Sequence, residues 1–83
     1  MNTHELKCWP EYFEAIDAGE KTFEFRKDDR TPRFEVGDRL VLREWCPFWR
    51  RYTGREAVRT VQYVARGGAI PNGFCCMSVR WAP

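Results

Sequence analysis

Only one stretch of this chain has the spacing of a helix, and that constrains the fold more than any other feature. Tyr12, Phe13 and Ile16 recur at helical intervals between Pro10 and Ala18. Pro10 suits a first helical turn, Glu11 and Glu14 sit near its positive end, and Gly19 fits the left-handed stop just past it. The rest of the sequence alternates, or is β-branched and aromatic, between turn residues. Residues 3–8 read as a short strand with Leu6 and Cys8 on one face, broken by Trp9-Pro10. Residues 21–27 alternate strictly, with Phe23 and Phe25 on one face and Thr22, Glu24 and Arg26 on the other, outer face. Asp28-Asp29 opens a charged loop as a solvated turn. Val36-Gly37-Asp38 then turns the chain into a strand over 39–45. Residues 46–53 read as a loop ended by Gly54, and residues 56–65 as a long strand. Residues 67–73 form another loop. The last strand spans 74–81, with Cys75, Met77, Val79 and Trp81 facing inwards.

The order β-α-β-β-β-β predicts an α+β, mainly β fold, a small barrel of about five strands with one early helix. A half-open sheet with the helix packed across it is the alternative. With 83 residues the chain has room for one domain, spanning 1–83. Four Trp, three Tyr and six Phe supply a core and argue against disorder. No apolar run approaches the roughly 18 residues of a membrane span. Residues 1–5 carry no basic segment followed by an apolar one, so no secretory leader is expected. A cytoplasmic monomer without membrane contact follows as the expectation. In that compartment Cys8, Cys46, Cys75 and Cys76 read as reduced thiols, with Cys75 and Cys76 on opposite faces of a strand. His4 is the only histidine and no Cys-x-x-Cys pair occurs, so neither a metal nor a cofactor is expected.

The net charge of +2 conceals an asymmetry. Residues 1–38 hold six basic and ten acidic side chains, whereas residues 39–66 hold seven arginines and two glutamates. Arginine offers a planar fork for phosphate and a surface for bases; simple solvation of the charges is the plainer account. Within the arginine-rich part, Phe48-Trp49-Arg50-Arg51-Tyr52 interleaves aromatic and basic residues. Arg50, Arg51, Arg55 and Arg59 are candidates for phosphate contacts, and Trp45, Phe48, Trp49 and Tyr52 for stacking on unpaired bases. Trp45 and Phe48 fit better as caps on the barrel core, while Trp49 fits either role. Trp9 packs at the helix start or forms a cleft wall.

Residues 19–26 read Gly-Glu-Lys-Thr-Phe-Glu-Phe-Arg. Glu24 and Arg26 share a strand face roughly 7 Å apart, and Lys21 enters beside the helix end, so a lysine, a carboxylate and an arginine converge between helix and sheet. A salt-bridged exposed strand is the plainer reading. Gly19, Lys21, Glu24 and Arg26 also follow the G-x-K-x-x-E-x-R signature, which resembles that of the ASCH domain of the PUA-like superfamily. His4-Glu5-Leu6-Lys7, Pro10-Glu11-Tyr12-Phe13, residues 26–30, Val36-Gly37-Asp38, Glu44-Trp45 and Tyr52-Thr53-Gly54-Arg55 extend the likeness. Together they are similar to a small, uncharacterised ASCH-related family of bacterial and phage proteins. Cys46 departs from the acidic residue expected after Glu-Trp.

The resemblance implies a PUA-like barrel with a cleft beside the helix, lined by Lys21, Glu24 and Arg26, and an RNA or nucleotide-like ligand. Lys21 and Arg26 would contact an anionic or carbonyl group. Glu24 would orient Arg26 or accept a hydrogen bond from a base amino group. A second class is an amidohydrolase of acylated nucleosides, with Lys21 and Glu24 as catalytic candidates and Glu24 acting as a base on water. Related enzymes carry Thr where this chain has Glu24. Thr22 lies one alternation away, and residues 57–83 contain no Asp or Glu. A third class is a module that binds a protein partner through an exposed patch around Trp49.

Overall fold

The structure, a computed structural model, describes residues 1–81. Its elements are β1 (Thr3–Cys8), α1 (Pro10–Asp17), β2 (Phe23–Lys27), β3 (Arg39–Cys46), β4 (Arg51–Ala65) and β5 (Phe74–Trp81). The strands form one sheet in the order β1-β3-β4-β5-β2. β1 runs parallel to β3, and every other pair is antiparallel. A parallel pair needs a long crossover, and here α1, β2 and the following loop supply it. The fold is thus mostly β, a five-strand half-barrel with one short helix. No helix among the described residues is long and apolar enough to cross a membrane.

The sheet curls until its two edges, β1 and β2, face each other across a gap. Arginine side chains span that gap. Arg26 Nη2 donates to the Lys7 carbonyl at 2.9 Å, and Arg30 Nη2 donates to the Glu5 carbonyl at 2.9 Å. Carbonyls that an edge strand would leave open are met by guanidinium donors instead of another strand.

The core lies on the concave side. Leu6 and Cys8 of β1, Leu40 and Leu42 of β3 and Cys75, Met77 and Val79 of β5 alternate into it, and Phe13 and Ile16 of α1 close over them. Phe34, from the loop after β2, is fully buried among them. Cys75 is buried and Cys76 half-buried, as their strand alternation requires.

Five expectations need correction. β2 is turned over: Glu24 pairs with Met77 and Arg26 with Cys75, on the inner face, while Phe23 and Phe25 lie outside. Alternation separates two faces without saying which is inside, and here the gap beside α1 supplies counter-charges that make the polar face the inner one. β4 begins at Arg51, so half of the expected loop is strand; Gly54 sits within it at φ +95°, beside the register slip between Arg43 and Trp45. Phe48 is 81% exposed and caps nothing, and Trp81 is 72% exposed. The core ends at Val79, so the Trp81 ring lies beyond it, against the Arg59 guanidinium at 4.6 Å. Asp28 is no solvated turn residue. Its carboxylate accepts from Arg66, and from Arg33 at 3.1 Å, which locks the loop onto the end of β4.

Asp38 anchors the turn before β3. Its carboxylate accepts the Asn2 and Glu35 backbone N–H groups, both at 3.0 Å, and lies 2.8 Å from His4 Nε2. Burial works against ionisation, but the Asn2 donor, His4 and Glu35 together outweigh it and hold the Asp38 carboxyl below its ordinary range. A carboxylate depressed in the folded state adds stability that is complete above the unfolded value of about 3.9 and lost as pH falls through the folded one. Asp28, lowered chiefly by its bond from Arg66, adds an effect of the same sign. Asp38→Asn is expected to cost about 2 kcal/mol at neutral pH, since a buried donor loses its acceptor. In urea denaturation it should also flatten, without abolishing, the loss of stability below about pH 4. An unchanged acid profile in this variant would remove Asp38 from the role.

Candidate functional site

The gap between β1 and β2 opens beside α1 into a cleft of about 880 Å³. Local sequence chemistry sets its walls. Trp9 takes the extended N-cap conformation required before Pro10, and its carbonyl accepts the Phe13 N–H at 2.8 Å, so the indole stays on the rim. At the other end of α1, Gly19 adopts φ +79°, a conformation that costs glycine little. The chain reverses there, and the Glu20 and Lys21 N–H groups both donate to the Ala15 carbonyl. Lys21 is thereby pinned beneath the helix end, at the entry to β2. Tyr12, from the solvent side of α1, and Phe23, from the outer face of β2, complete the rim.

Glu24 lies at the base with its side chain only 4% exposed. Lys21 Nζ donates to its Oε1 at 2.7 Å and to the Phe23 carbonyl at 2.7 Å. Arg26 Nε donates to its Oε2 at 2.8 Å, and Arg26 Nη2 reaches the Lys7 carbonyl across the gap. Two cations therefore face one carboxylate. An ammonium has three N–H donors and a guanidinium five, so Lys21 and Arg26 keep donors free toward the cleft while both Glu24 oxygens are engaged. The Lys21 ammonium also lies 4.9 Å from the Phe23 ring and 5.8 Å from that of Tyr12. The exposed chemistry of the cleft base is donation by cations among aromatic rings.

Cys8 borders the same cleft. Burial pushes its thiol up to about 11, with the Glu24 charge adding to the rise, so it stays protonated at neutral pH. Opposite Cys8 in the β1–β3 register stands a second buried carboxylate, Glu44. It accepts from Thr53 Oγ1 at 2.7 Å and faces Arg55 Nε at 3.5 Å.

The structure brings Lys21, Glu24, Arg26 and Trp9 together on one cleft, and leaves Trp49, Arg50, Arg51 and Tyr52 apart from it on the β3–β4 hairpin. Arg55 braces α1 against the sheet: it donates to Glu14 Oε1 at 2.8 Å and stacks over Phe13 at 4.7 Å. Arg59 is buried, donating to the Ile16 carbonyl at the end of α1 and to the Val58 carbonyl. That use removes it from the phosphate candidates. Thr22 borders a separate, smaller cavity under the end of α1. Of His4 and Lys7, Lys7 alone borders the cleft, which opens at the end of β1 where Lys7 and Cys8 lie and not at its start. Sequence reasoning missed Tyr12, Phe23 and the Glu44–Thr53 pair. Neither Tyr12 nor Glu44 had a readable signal: Tyr12 shares the helical spacing of Phe13 and Ile16, and Glu44 depends on the register slip in β4.

A half-barrel whose open seam holds a buried carboxylate between two cations is thus the class of molecule that fold and site define. The chain belongs to the family described as domain of unknown function DUF3850, whose pattern matches residues 3–79. A protein of Escherichia phage P2, described as an uncharacterized 12.9 kDa protein in the GpA 3′ region, is 48% identical over 53 residues. The match covers 64% of this chain and 45% of the phage protein, so the chain spans less than half the length of that relative.

Two measurements test the geometry. Glu24→Gln leaves Lys21 and Arg26 facing a neutral amide, and is expected to cost about 2 kcal/mol in urea denaturation. That is less than for a wholly buried pair, because both cations keep contact with water. In mass-mapped alkylation of the native protein at about pH 8, Cys46 and Cys76 should react well before Cys8 and Cys75. Cys8 reacting as fast as Cys76 would contradict the buried, protonated thiol.

Proposed function

We propose that the cleft binds the base of a nucleotide or of RNA. One observation carries this reading: a cleft rimmed by Trp9, Tyr12 and Phe23 has a base that offers unused N–H donors from Lys21 and Arg26. A planar ring fits between such walls, and its carbonyl oxygen, or a phosphate oxygen beside it, meets the donors. The cleft falls within the range of about 300–1,000 Å³ typical of small-ligand pockets. In this reading Glu24 is a positioning residue that holds both cations; with its side chain only 4% exposed, it serves a base amino group poorly. The likeness of residues 19–26 to the ASCH signature supports the same class of ligand.

Hydrolysis of an acylated nucleoside has less support. Its base would be Glu24, whose side chain is only 4% exposed and is held at each oxygen by a cation, so an attacking water has little access to it. Thr22 lies on another cavity, and the Cys8 thiol is protonated.

The test is titration of the Trp9 signal with uridine and cytidine monophosphates, with release of acetate from acetylated cytidine followed in parallel. Lys21→Met and Arg26→Ala are each expected to weaken binding about tenfold or more, the scale of one lost charge-assisted hydrogen bond. Arg26→Lys should keep the seam closed and lose less. Wild-type affinity in folded Lys21→Met and Arg26→Ala variants would overturn the reading, and acetate release that depends on Glu24 would replace it with the hydrolase.

A further inference from the structure

We propose that the hairpin between β3 and β4 carries a second nucleic-acid contact, continuous with the cleft, so that the ligand is a single-stranded oligonucleotide and not a free nucleotide. The inference rests on reading the cleft as a base site. The continuity is visible in a run of stacked groups. Lys7, on the cleft border, places its ammonium 4.0 Å from the centre of the Trp45 ring. Trp45 meets Tyr52 edge-on at 5.0 Å, and the Arg43 guanidinium lies over Tyr52 at 4.0 Å. Beyond them the turn presents Phe48 and Trp49, edge-on at 4.9 Å and 81% and 68% exposed. By strand rise, the turn lies about 10 Å past the end of β1.

Charge selects the occupant. No acidic residue occurs between Glu44 and Glu56, a span that holds Arg50, Arg51 and Arg55. Arg55 is spent on Glu14 and Glu44, and Arg43 on Glu5 and Glu56. Arg50 and Arg51 are exposed and pair with no carboxylate among the described residues. Arg50 also stands where the backbone prefers glycine, at φ 55°, held by its N–H to the Cys46 carbonyl at 2.7 Å. An arginine kept in a glycine position, with no internal partner, beside two exposed rings, is chemistry suited to phosphate and unpaired bases.

The experiment compares uridine monophosphate with an eight-nucleotide single-stranded oligouridine at 50 and 200 mM salt, using the wild type, Trp49→Ala with Arg50→Gly and Arg51→Gln, and Arg26→Ala. The hairpin variant should fold, since glycine relieves the backbone at position 50. The oligomer is expected to bind at least tenfold more tightly than the mononucleotide. The hairpin variant should lose that advantage while keeping mononucleotide affinity, and its salt slope should fall by about 0.7 for each arginine removed. Oligomer binding that needs the hairpin but not Arg26 would support the hairpin contact and dismiss the cleft. An oligomer no tighter than the mononucleotide, or unaffected by the hairpin changes, would overturn this proposal, leave the cleft reading standing, and assign Phe48 and Trp49 to a protein contact. Binding of neither ligand would overturn both.

Discussion

The buried carboxylate of Glu24 is the constraint on which the rest of the molecule turns. A carboxylate removed from water is costly unless it is paired and hydrogen-bonded. Its partners come from two directions: Lys21, delivered by the Gly19 reversal at the end of α1, and Arg26, two residues along the same strand. Arg26 has donors left over, and one of them meets the Lys7 carbonyl on the opposite edge of the sheet. A single buried charge thus relates the end of the helix, the facing of β2 and the width of the seam. It also accounts for a barrel that stays half-open. Edge carbonyls of β1 are already satisfied by Arg26 and Arg30, so the fold has less need of a further strand there.

The charge asymmetry along the chain looks different once the fold is known. Acidic residues of the first half find arginines of the second: Glu5 meets Arg43, Glu14 meets Arg55 and Asp28 meets Arg66. Exposed pairs of this kind contribute little stability each, but they give three of the seven arginines of the basic block a carboxylate partner, and Arg59 is held by backbone carbonyls. Of what looks in sequence like a broad basic tract, Arg50 and Arg51 on the turn are the pair left exposed without a carboxylate partner among the described residues.

Much of the architecture was legible in residue patterns. Pro10 and Gly19 bracket a helix because one fits its first turn and the other its left-handed exit. The alternation of residues 3–8 and 74–81 marks strands whose buried positions, up to Val79, are the apolar ones together with His4. Convergence of Lys21, Glu24 and Arg26 followed from strand and helix geometry alone. The facing of β2 did not, because hydrophobicity favours Phe23 and Phe25 as the inner pair; only the polar cleft beside α1 reverses that choice. The extent of β4 was hidden by Pro47 and Gly54, turn residues that here serve a tight hairpin and a register slip. Arg59 could not be distinguished from its exposed neighbours, since its role as a donor to the Ile16 carbonyl depends on where the helix ends in space.

The strand order has a kinetic consequence. β1 waits for β3, beyond the whole crossover, and β2 waits for β5, the last strand of all. Pairings so distant along the chain place such a domain among the slower folders, in the range of about milliseconds to seconds. On the ribosome, at about 5–20 residues per second, β2 emerges seconds before β5, its partner in the sheet. The seam is bounded by the two earliest strands, yet each is held in the sheet by a later one, β3 for β1 and β5 for β2, so no fragment released before β5 is made can hold both of its sides in place.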